Sequence, residues 1–513
     1  MRFSGVHSLV YVISLLGAAT LTGCFSLQPK PFSSADIQKQ SKLDQVAARA
    51  NVEPLSGSIT LEESVARALK YNLDRRIRMM EEAISLNQFE VGKFDMLPKL
   101  VASAGYSSNS EDRITRAVDS ITGRPSLANP FISSDKQHTV TSLGLSWNLL
   151  DFGLSYYNGQ QDADRVLIAK ERRRKAMHVL MQDVRSAFWR AVSAQQLSEK
   201  VRIAIRTADD ALLDAKKAEE ERLRPPLDSL RYQRQVLENL RLLEAIDQEL
   251  ATARIELAHL INVPLSNDLK VIEPVAPLSR AMLGLPIQEL EELAIMQNAD
   301  LREQFYNARI ATQETKKAML RIFPNLNFGF GYKHDDDRFL IHQSWNEASA
   351  QLSYNFLGLL SMPARTKLAE AGVALADQRR IATQMAILAQ VNVAAMQYSS
   401  AILQFNRADT IWSVENKINT HIANSAQVQK QSKLDEVASN TSMILSHLRR
   451  YQSLAMAHSA AGKLQASLGM EPEIESVQDM SLTDLTTVLR RSFDSWNEGK
   501  FRLRIDNSLT PSK

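Results

Sequence analysis

The stretch Leu69-Lys70-Tyr71-Asn72-Leu73-Asp74 returns 226 positions later as Ile295-Met296-Gln297-Asn298-Ala299-Asp300. At the same offset Leu97-Pro98-Lys99-Leu100 matches Phe323-Pro324-Asn325-Leu326, and Gly105-Tyr106 matches Gly331-Tyr332. Further on the offset is 207: Leu145-Ser146-Trp147-Asn148-Leu149-Leu150 matches Leu352-Ser353-Tyr354-Asn355-Phe356-Leu357, and Leu227-Asp228 matches Leu434-Asp435. The offset changes once, between Tyr106 and Leu145, where the first copy is longer and polar. A length change confined to one place marks a surface loop. The chain is therefore a tandem duplication, with repeats over 59–270 and 285–470 and a linker over 271–284.

Each repeat opens with a helical segment. Leu61 to Met96 lacks Pro, and Thr60 followed by Glu63 forms a capping box. Pro98 and Pro324 mark the change from helix to strand, because the residue before a proline leaves the helical region. The period then becomes two. Leu100, Ala102, Ala104 and Tyr106 alternate with small or polar residues, as do Leu143, Leu145, Trp147 and Leu149. In the second copy Leu326, Phe328, Phe330 and Tyr332 alternate likewise, followed by Ala350, Leu352, Tyr354 and Phe356. This predicts four strands, over about 98–110, 139–151, 324–335 and 347–358, each with one apolar face. The pattern suits a lipid-facing barrel wall with a polar lumen, and also a half-buried sheet in a soluble domain.

Two long runs follow, about 155–223 and 364–431, each on the order of 100 Å if helical. In the first, Leu180, Val184, Ala187, Ala191, Ala194 and Leu197 begin a stripe that continues to Ala218 with a mean step of about 3.5, the coiled-coil period. Each run ends at a turn (Leu227-Asp228, Leu434-Asp435) and a returning helix of half the length. Two half-length helices per repeat can then stack end to end beside the long one.

The 513 residues carry Lys+Arg 61 against Asp+Glu 58, too balanced to imply nucleic acid or another strongly charged partner. Gly 18 and Pro 16 are about 7% of the chain, against roughly 12% on average, which favours long elements over loops. The one cysteine excludes an intrachain disulfide. Arg2, the apolar run Leu9 to Ala19 and the small residues before Cys24 form a secretory signal peptide over 1–23. Leu21-Thr22-Gly23-Cys24 resembles the bacterial lipobox, which implies acylation of Cys24, with palmitate among the chains, and a lipid-anchored linker over 24–58. Phe25 stands where an Asp would retain such a lipoprotein in the inner membrane, so outer-membrane sorting is expected. Multiple acyl chains give stable anchoring to outer-membrane lipid.

Four strands cannot close a membrane barrel, which needs at least eight, and an open edge in lipid leaves costly unpaired backbone groups. Two chains would give a barrel filled by its own side chains. Three give twelve strands and a lumen, so a homotrimer is expected. No phosphate loop, zinc spacing or nucleophile–base pair stands out, and neither an enzyme nor a cofactor is expected.

The duplication, the repeated order helix, Asn-x-Asp, helix, Pro, strand (Asn72, Asp74, Pro98; Asn298, Asp300, Pro324) and the Leu-Asp turns together resemble the TolC-like outer-membrane efflux family, in its lipoprotein branch. The resemblance covers about 59–470. It implies a mainly α fold with a small membrane β part: a trimeric 12-stranded β-barrel continued by a long α-helical barrel through the periplasm. It implies a passive conduit fed by an inner-membrane pump, of resistance-nodulation-division or ABC type, through a periplasmic adaptor (membrane fusion) protein. A secretion outlet for protein or polysaccharide is the alternative, as is a lipid-tethered periplasmic coiled coil. The turns Leu227, Asp228, Leu434 and Asp435 would lie at the periplasmic tip as gate or adaptor-docking residues. Asp228 and Asp435 can equally cap the returning helices; three copies would set six carboxylates at the mouth, favouring cations.

Other features read more plainly. Asp335-Asp336-Asp337 offers carboxylates to a divalent cation or belongs to a solvated loop. Glu171-Arg172-Arg173-Arg174-Lys175 offers charge to lipid phosphates or forms a solvated helix face. Met79, Met80 and Met96 read as gap fillers. The tail 471–513, with Trp496, has no functional reading.

Overall fold

The computed structural model describes residues 30–115, 118–124, 131–221, 225–265, 269–274, 278–427, 433–472, 474 and 477–500. Cys24 and the signal peptide lie outside the described residues. The chain divides into a small unit up to Pro54 and a large one from Leu55. In the small unit Ser33 caps α1 (Ser34–Arg49) by accepting from the Asp36 amide at 3.1 Å.

The large unit holds both repeats. The first comprises α2 (Leu61–Tyr71), α3 (Leu73–Gly92), β1 (Lys99–Ser108), the short loop strands β2 (Ile114–Thr115) and β3 (Phe131–Ile132), β4 (Gln137–Asn148), α4 (Leu149–Glu220) and α5 (Pro226–Leu260). The second comprises α6 (Ile287–Gln297), α7 (Ala299–Leu320), β5 (Asn325–Asp335), β6 (Ser344–Ser353), α8 (Phe356–Gln427) and α9 (Lys433–Ser467). A final helix, α10, spans Leu482–Asn497. The long helices α4 and α8 have 72 residues each, and α5 and α9 have 35 each, so the duplication is kept in length as well as in order.

Local chemistry sets the boundaries. Thr60 accepts from the Glu63 amide at 3.2 Å and starts α2. The expected continuous opening helix is broken at Asn72, whose extended backbone (ψ 132°) ends α2 and caps α3. Pro98 and Pro324 each stand immediately before the first residue of a strand. Helix α8 begins eight residues earlier than the sequence suggests and runs through Pro363, which removes one main-chain donor near its start.

The four long strands form one antiparallel sheet in the order β1-β4-β5-β6, with β4 and β5 joining the two repeats, while β2 and β3 pair separately. In the helical part α4 packs against α3, α5, α7 and α9, and α8 against α7 and α9. The stripe of α4 from Leu180 to Ala215 is buried throughout, and its small side chains let the neighbouring helices approach closely. Two flat ring stacks brace the bundle: Trp189 on His458 with centroids 4.7 Å apart, and Trp412 on His447 at 4.8 Å.

Candidate functional site

The sheet has two chemically distinct faces, and its register fixes which residues share each. Leu100, Leu145, Phe330 and Ala348 stand in one row across the four strands, beside a row of Ala102, Leu143, Tyr332 and Asn346. The opposite face carries the row Ser103, Ser142, Lys333 and Trp345. There the Ser103 and Ser142 hydroxyls are 2.7 Å apart, and the Lys333 ammonium pairs with Glu347 at 2.5 Å. A one-residue slip would exchange the faces, so the pattern specifies the register. Among the described residues no further strand lies beside β1 or β6. Both edges offer unpaired backbone groups.

Where sheet meets helix, Asn148 accepts from the Asp151 amide at 3.0 Å and starts α4. Its counterpart Asn355 accepts from the Gly358 amide at 2.9 Å at the head of α8. A polar cavity of about 250 Å³ lies at this junction.

Midway along the helices each repeat is spliced by an asparagine. Asn72 Nδ2 donates to the Leu260 carbonyl at the end of α5, and Asn298 Nδ2 donates to the Ser467 carbonyl at 2.9 Å at the end of α9. The half-length helices are thereby joined end to end: α5 to α3 and α9 to α7. The Asn of the repeated Asn-x-Asp is this joint.

The basic run of α4 is neither a lipid-facing patch nor a freely solvated face. Arg174 bonds Glu171 and Glu471 and donates to the Gln297 carbonyl at 3.2 Å. Arg172 pairs with Glu303 at 2.8 Å, Arg173 with Glu82 at 2.5 Å and Lys175 with Asp300 at 2.8 Å. Glu171 is buried; burial raises its pKa, with Arg174 and Arg302 pulling the other way. Burial opposes the charge on Arg174, but Glu471 and Glu171 outweigh it and raise its pKa. The run clamps α4 to elements of both repeats.

Two features were missed in the sequence. The tail folds as α10 against α2, burying Leu482, Leu485, Leu489, Phe493 and Trp496. Their helical spacing and the Ser481 and Asp484 start signal were readable. Arg185 is buried beneath this helix, its guanidinium 4.4 Å from the Phe493 ring centre and its Nη1 2.6 Å from Gln465 Oε1. Burial lowers its pKa to about 10. No signal in α4 marks it apart from the other arginines.

At the far end of the long helices Ala208 and Ala211 of α4 meet Val236 of α5 and Val437 of α9 in a small apolar core. Pro225 occupies the capping position of α5, so Asp228 is not the cap; it lies exposed in the first turn, 3.8 Å from Arg231. Leu227 is exposed beside it. Asp435 is exposed in the first turn of α9, where Leu434 also lies. Leu434's side chain is outside the described residues.

At the opposite end the acidic triplet is a loop lock. Asp337 is buried and accepts from Ser134 Oγ at 2.7 Å and from the Asp135 and Phe339 amides at 3.2 and 3.0 Å. Asp336 accepts from the Thr139 amide at 2.5 Å, and Asp335 bonds His138 at 2.8 Å. Among the described residues no cluster of His, Cys, Asp or Glu could hold a metal ion.

A duplicated chain with two strands per copy, one long helix and two spliced half-length helices has the fold of one protomer of the TolC-like outer-membrane efflux proteins. Among solved structures it is similar to the Campylobacter jejuni CmeC outer membrane channel, with 12% identity and a TM-score of 0.62 over 91% of this chain and 97% of that one. The open state of the Neisseria gonorrhoeae MtrE outer membrane channel gives 15% identity and 0.59 over 80% and 89%. The outer membrane protein VceC of Vibrio cholerae gives 12% identity and 0.58 over 80% and 96%. No protein-family model matches the chain, and no curated protein does.

Proposed function

We propose that the chain is the outer-membrane channel of a tripartite efflux or export system, a passive conduit and not an enzyme. The observation that carries this reading is the four-stranded sheet, apolar on one face and polar on the other, with no further strand at either edge among the described residues. Such a sheet is stable in lipid only when copies share a closed wall. Three copies make twelve strands, with the polar face turned to the lumen. The apolar residues of α8 fit the same assembly: Leu360, Leu368 and Met396 are each more than 70% exposed in the single chain. A window of α8 is apolar enough to cross a membrane. Its exposed side chains suit contact with the next protomer along the helical barrel.

Cys24 would carry the acyl anchor at the outer membrane, with the helices in the periplasm. The turns at Leu227-Asp228 and Leu434-Asp435 would form the mouth that meets a periplasmic adaptor, which connects it to an inner-membrane pump of resistance-nodulation-division or ABC type. The pump supplies the energy. The test is reconstitution of the purified mature protein in planar bilayers, with its mass measured in detergent. Discrete conductance steps from a trimer are expected; a detergent-free soluble single subunit without conductance overturns the reading.

A further inference from the structure

Duplication makes each contact of α4 a template for α8. Helix α4 packs on α3 and α5 of its own repeat and on α7 and α9 of the other. Helix α8 packs on α7 and α9 of its own repeat, but among the described residues no packing of similar extent joins it to α3 or α5. Its second flank is therefore bare. Helix α3 is bare too: of its 20 residues only Arg75 is buried. Both surfaces are apolar. Helix α8 shows Leu368, Leu375, Ile381 and Met385, and α3 shows Ile77, Ile84 and Val91 at seven-residue intervals.

The equivalent seam inside the chain is closed and polar. At the offset of 207 Leu368 stands where α4 has Gln161, and at 226 Ile84 and Val91 stand where α7 has Ile310 and Lys317. Gln161 is 1% exposed. Its Nε2 donates to the Ile310 carbonyl at 3.3 Å and to Glu314 at 3.0 Å, and its Oε1 accepts from Lys317 Nζ at 3.3 Å. Leu368 is 75% exposed, and Ile84 and Val91 are each more than half exposed. Nearby, Arg309 Nε donates to Asp164 at 2.8 Å; their equivalents are Ala83 and Ala371, both exposed. Ile168 is buried in α4, while its equivalent Leu375 lies open in α8. Positions closed in one repeat are thus open in the other, and there they have exchanged amide and charge for methyl and methylene groups.

The helix that covers α4 at this seam is α7, and the equivalent of α7 is α3. Packing places α3, α4, α7 and α8 in a row, with α3 and α8 at its two edges. The α3 that covers α8 must then come from another copy, in a head-to-tail contact of the kind that closes rings. The change of chemistry fits the order of events. The inner seam closes as the chain folds, with its charges paired. The outer seam joins finished subunits and gains from removing apolar surface from water, without desolvating charge.

We infer that the seam between copies is an apolar counterpart of the polar seam inside the chain: Leu368 of one copy lodges between Ile84 and Val91 of the next, as Gln161 lodges between Ile310 and Lys317. This deepens the channel reading and rests on it for the closed ring; the register of the contact comes from the repeat alone.

The test is thiol cross-linking of the full mature protein in detergent. Leu368→Cys combined with Ile84→Cys should give covalent dimers and trimers with a short bismaleimide. Neither single variant should, nor should the parent protein. Ile84→Cys with Met396→Cys, four helical turns away from the expected register on α8, should give none. Leu368→Gln, which restores the residue of the inner seam at an exposed position, leaves the subunit folded by circular dichroism and should weaken association about tenfold or more. A trimer that yields no 84–368 cross-link, equal cross-linking in the Met396 pair, or association unchanged in Leu368→Gln overturns the assignment. Conductance of the same preparations separates the two readings. A conducting trimer without the 84–368 link keeps the channel and loses this seam. A linked assembly that stays silent keeps the seam and loses the channel.

Discussion

Asn72 and Leu260 lie 188 residues apart and meet head to tail: Asn72 Nδ2 donates to the Leu260 carbonyl at 3.1 Å while its Oδ1 accepts from the Arg75 amide at 3.1 Å. One side chain thus serves an orphan carbonyl at the end of α5 and an orphan amide at the start of α3. The joint is returned from the other side, where Asn262 Nδ2 donates to the Tyr71 carbonyl at 3.1 Å. It also brings the negative end of one helix dipole to the positive end of the next. Only a carboxamide can do this at that length: Asp has no donor and Ser is too short.

Asn72→Ala should therefore cost about 1–2 kcal/mol for the lost cap, and more for the carbonyl left unpaired. Asn72→Asp is the sharper variant. Asp caps helices as well as Asn does, yet it would set a carboxylate against the Leu260 carbonyl. Urea unfolding should show it at least as damaging as Ala. An Asp variant as stable as the parent would mean that only capping matters here.

The second joint makes a different demand on the backbone. Asn262 and Gly469 are equivalent positions of the two repeats, and both take left-handed φ, 55° and 70°. Each lies just past a helix end, where Val263 N reaches the Ala258 carbonyl and Met470 N the Gln465 carbonyl, both at 3.0 Å. A Cβ on Gly469 would collide with the Gln297 carbonyl and come within 2.9 Å of the Asn298 amide. Gly469→Asn, which copies the first repeat, should lower the unfolding midpoint sharply. Asn262→Gly should cost only what its bond to Tyr71 contributes, about 1 kcal/mol. Equal effects of the two would refute the backbone argument.

The long-range plan was legible because duplication states it twice, and because local signals agree with it. The seam of α4 was readable from its spacing, and Val184, Ala191, Leu197 and Ala208 are buried as that spacing requires. The break at Asn72 was legible only from the repeated order, with a helix on each side of Asn-x-Asp; local propensity gave a continuous helix, because a lone Asn in a helix-forming run carries little weight and its carbonyl partner comes from a distant segment. The basic run of α4 was misjudged for the same reason. Glu82, the pair Asp300 and Glu303 of α7, and Glu471 come from three separate places in the chain, and no local pattern assembles them. The triplet 335–337 reads from sequence as a solvated loop or a cation site, and composition cannot show that Asp337 is buried with its carboxylate taken by Ser134 and two backbone amides.

Arg185 should prove to be the anchor of α10. It supplies a desolvated cation to Phe493 and a hydrogen bond to Gln465, while its stem fills apolar space. Arg185→Ala is expected to cost about 2–4 kcal/mol and to speed limited proteolysis of the chain after residue 472. Arg185→Met, which keeps the stem, should recover part of the loss. Unaltered proteolysis in the Ala variant would show that α10 is held by its leucines alone.

Stability should fall on mild acidification. Burial lowers the pKa of His178 and His447 from 6.5 to about 4, and that of His458 to about 3. Arg174 reinforces the shift at His178 while Glu471 opposes it; Lys200 and Arg450 add to it at His447, and Arg185 at His458. These bases are neutral in the folded chain and titrate near 6.5 when unfolded. Their contribution is complete above pH 6.5 and is lost as pH falls toward 4, because the unfolded chain then binds more protons. Three such groups give a slope of up to ~4 kcal/mol per pH unit in that window. Thermal midpoints from pH 8 to 5 should drop accordingly, and His458→Phe, which can still stack on Trp189, should flatten the slope by about a third. A midpoint independent of pH across the window would contradict the burial of these rings.

Ion selectivity offers the most direct reading of the helix tips. If Asp228 and Asp435 face the mouth of a threefold assembly, six carboxylates bias the conduit toward cations. Both are exposed, so the bias should weaken with salt as the Debye length shrinks to ~3 Å at 1 M. Arg231 lies 3.8 Å from Asp228 and partly offsets it. The reversal potential under a potassium chloride gradient should therefore move toward zero in the Asp228→Asn, Asp435→Asn double variant. It should move the other way in Arg231→Gln. A mere steric constriction would change conductance in these variants and leave the sign and size of the reversal potential alone, which would remove the carboxylates from the gate.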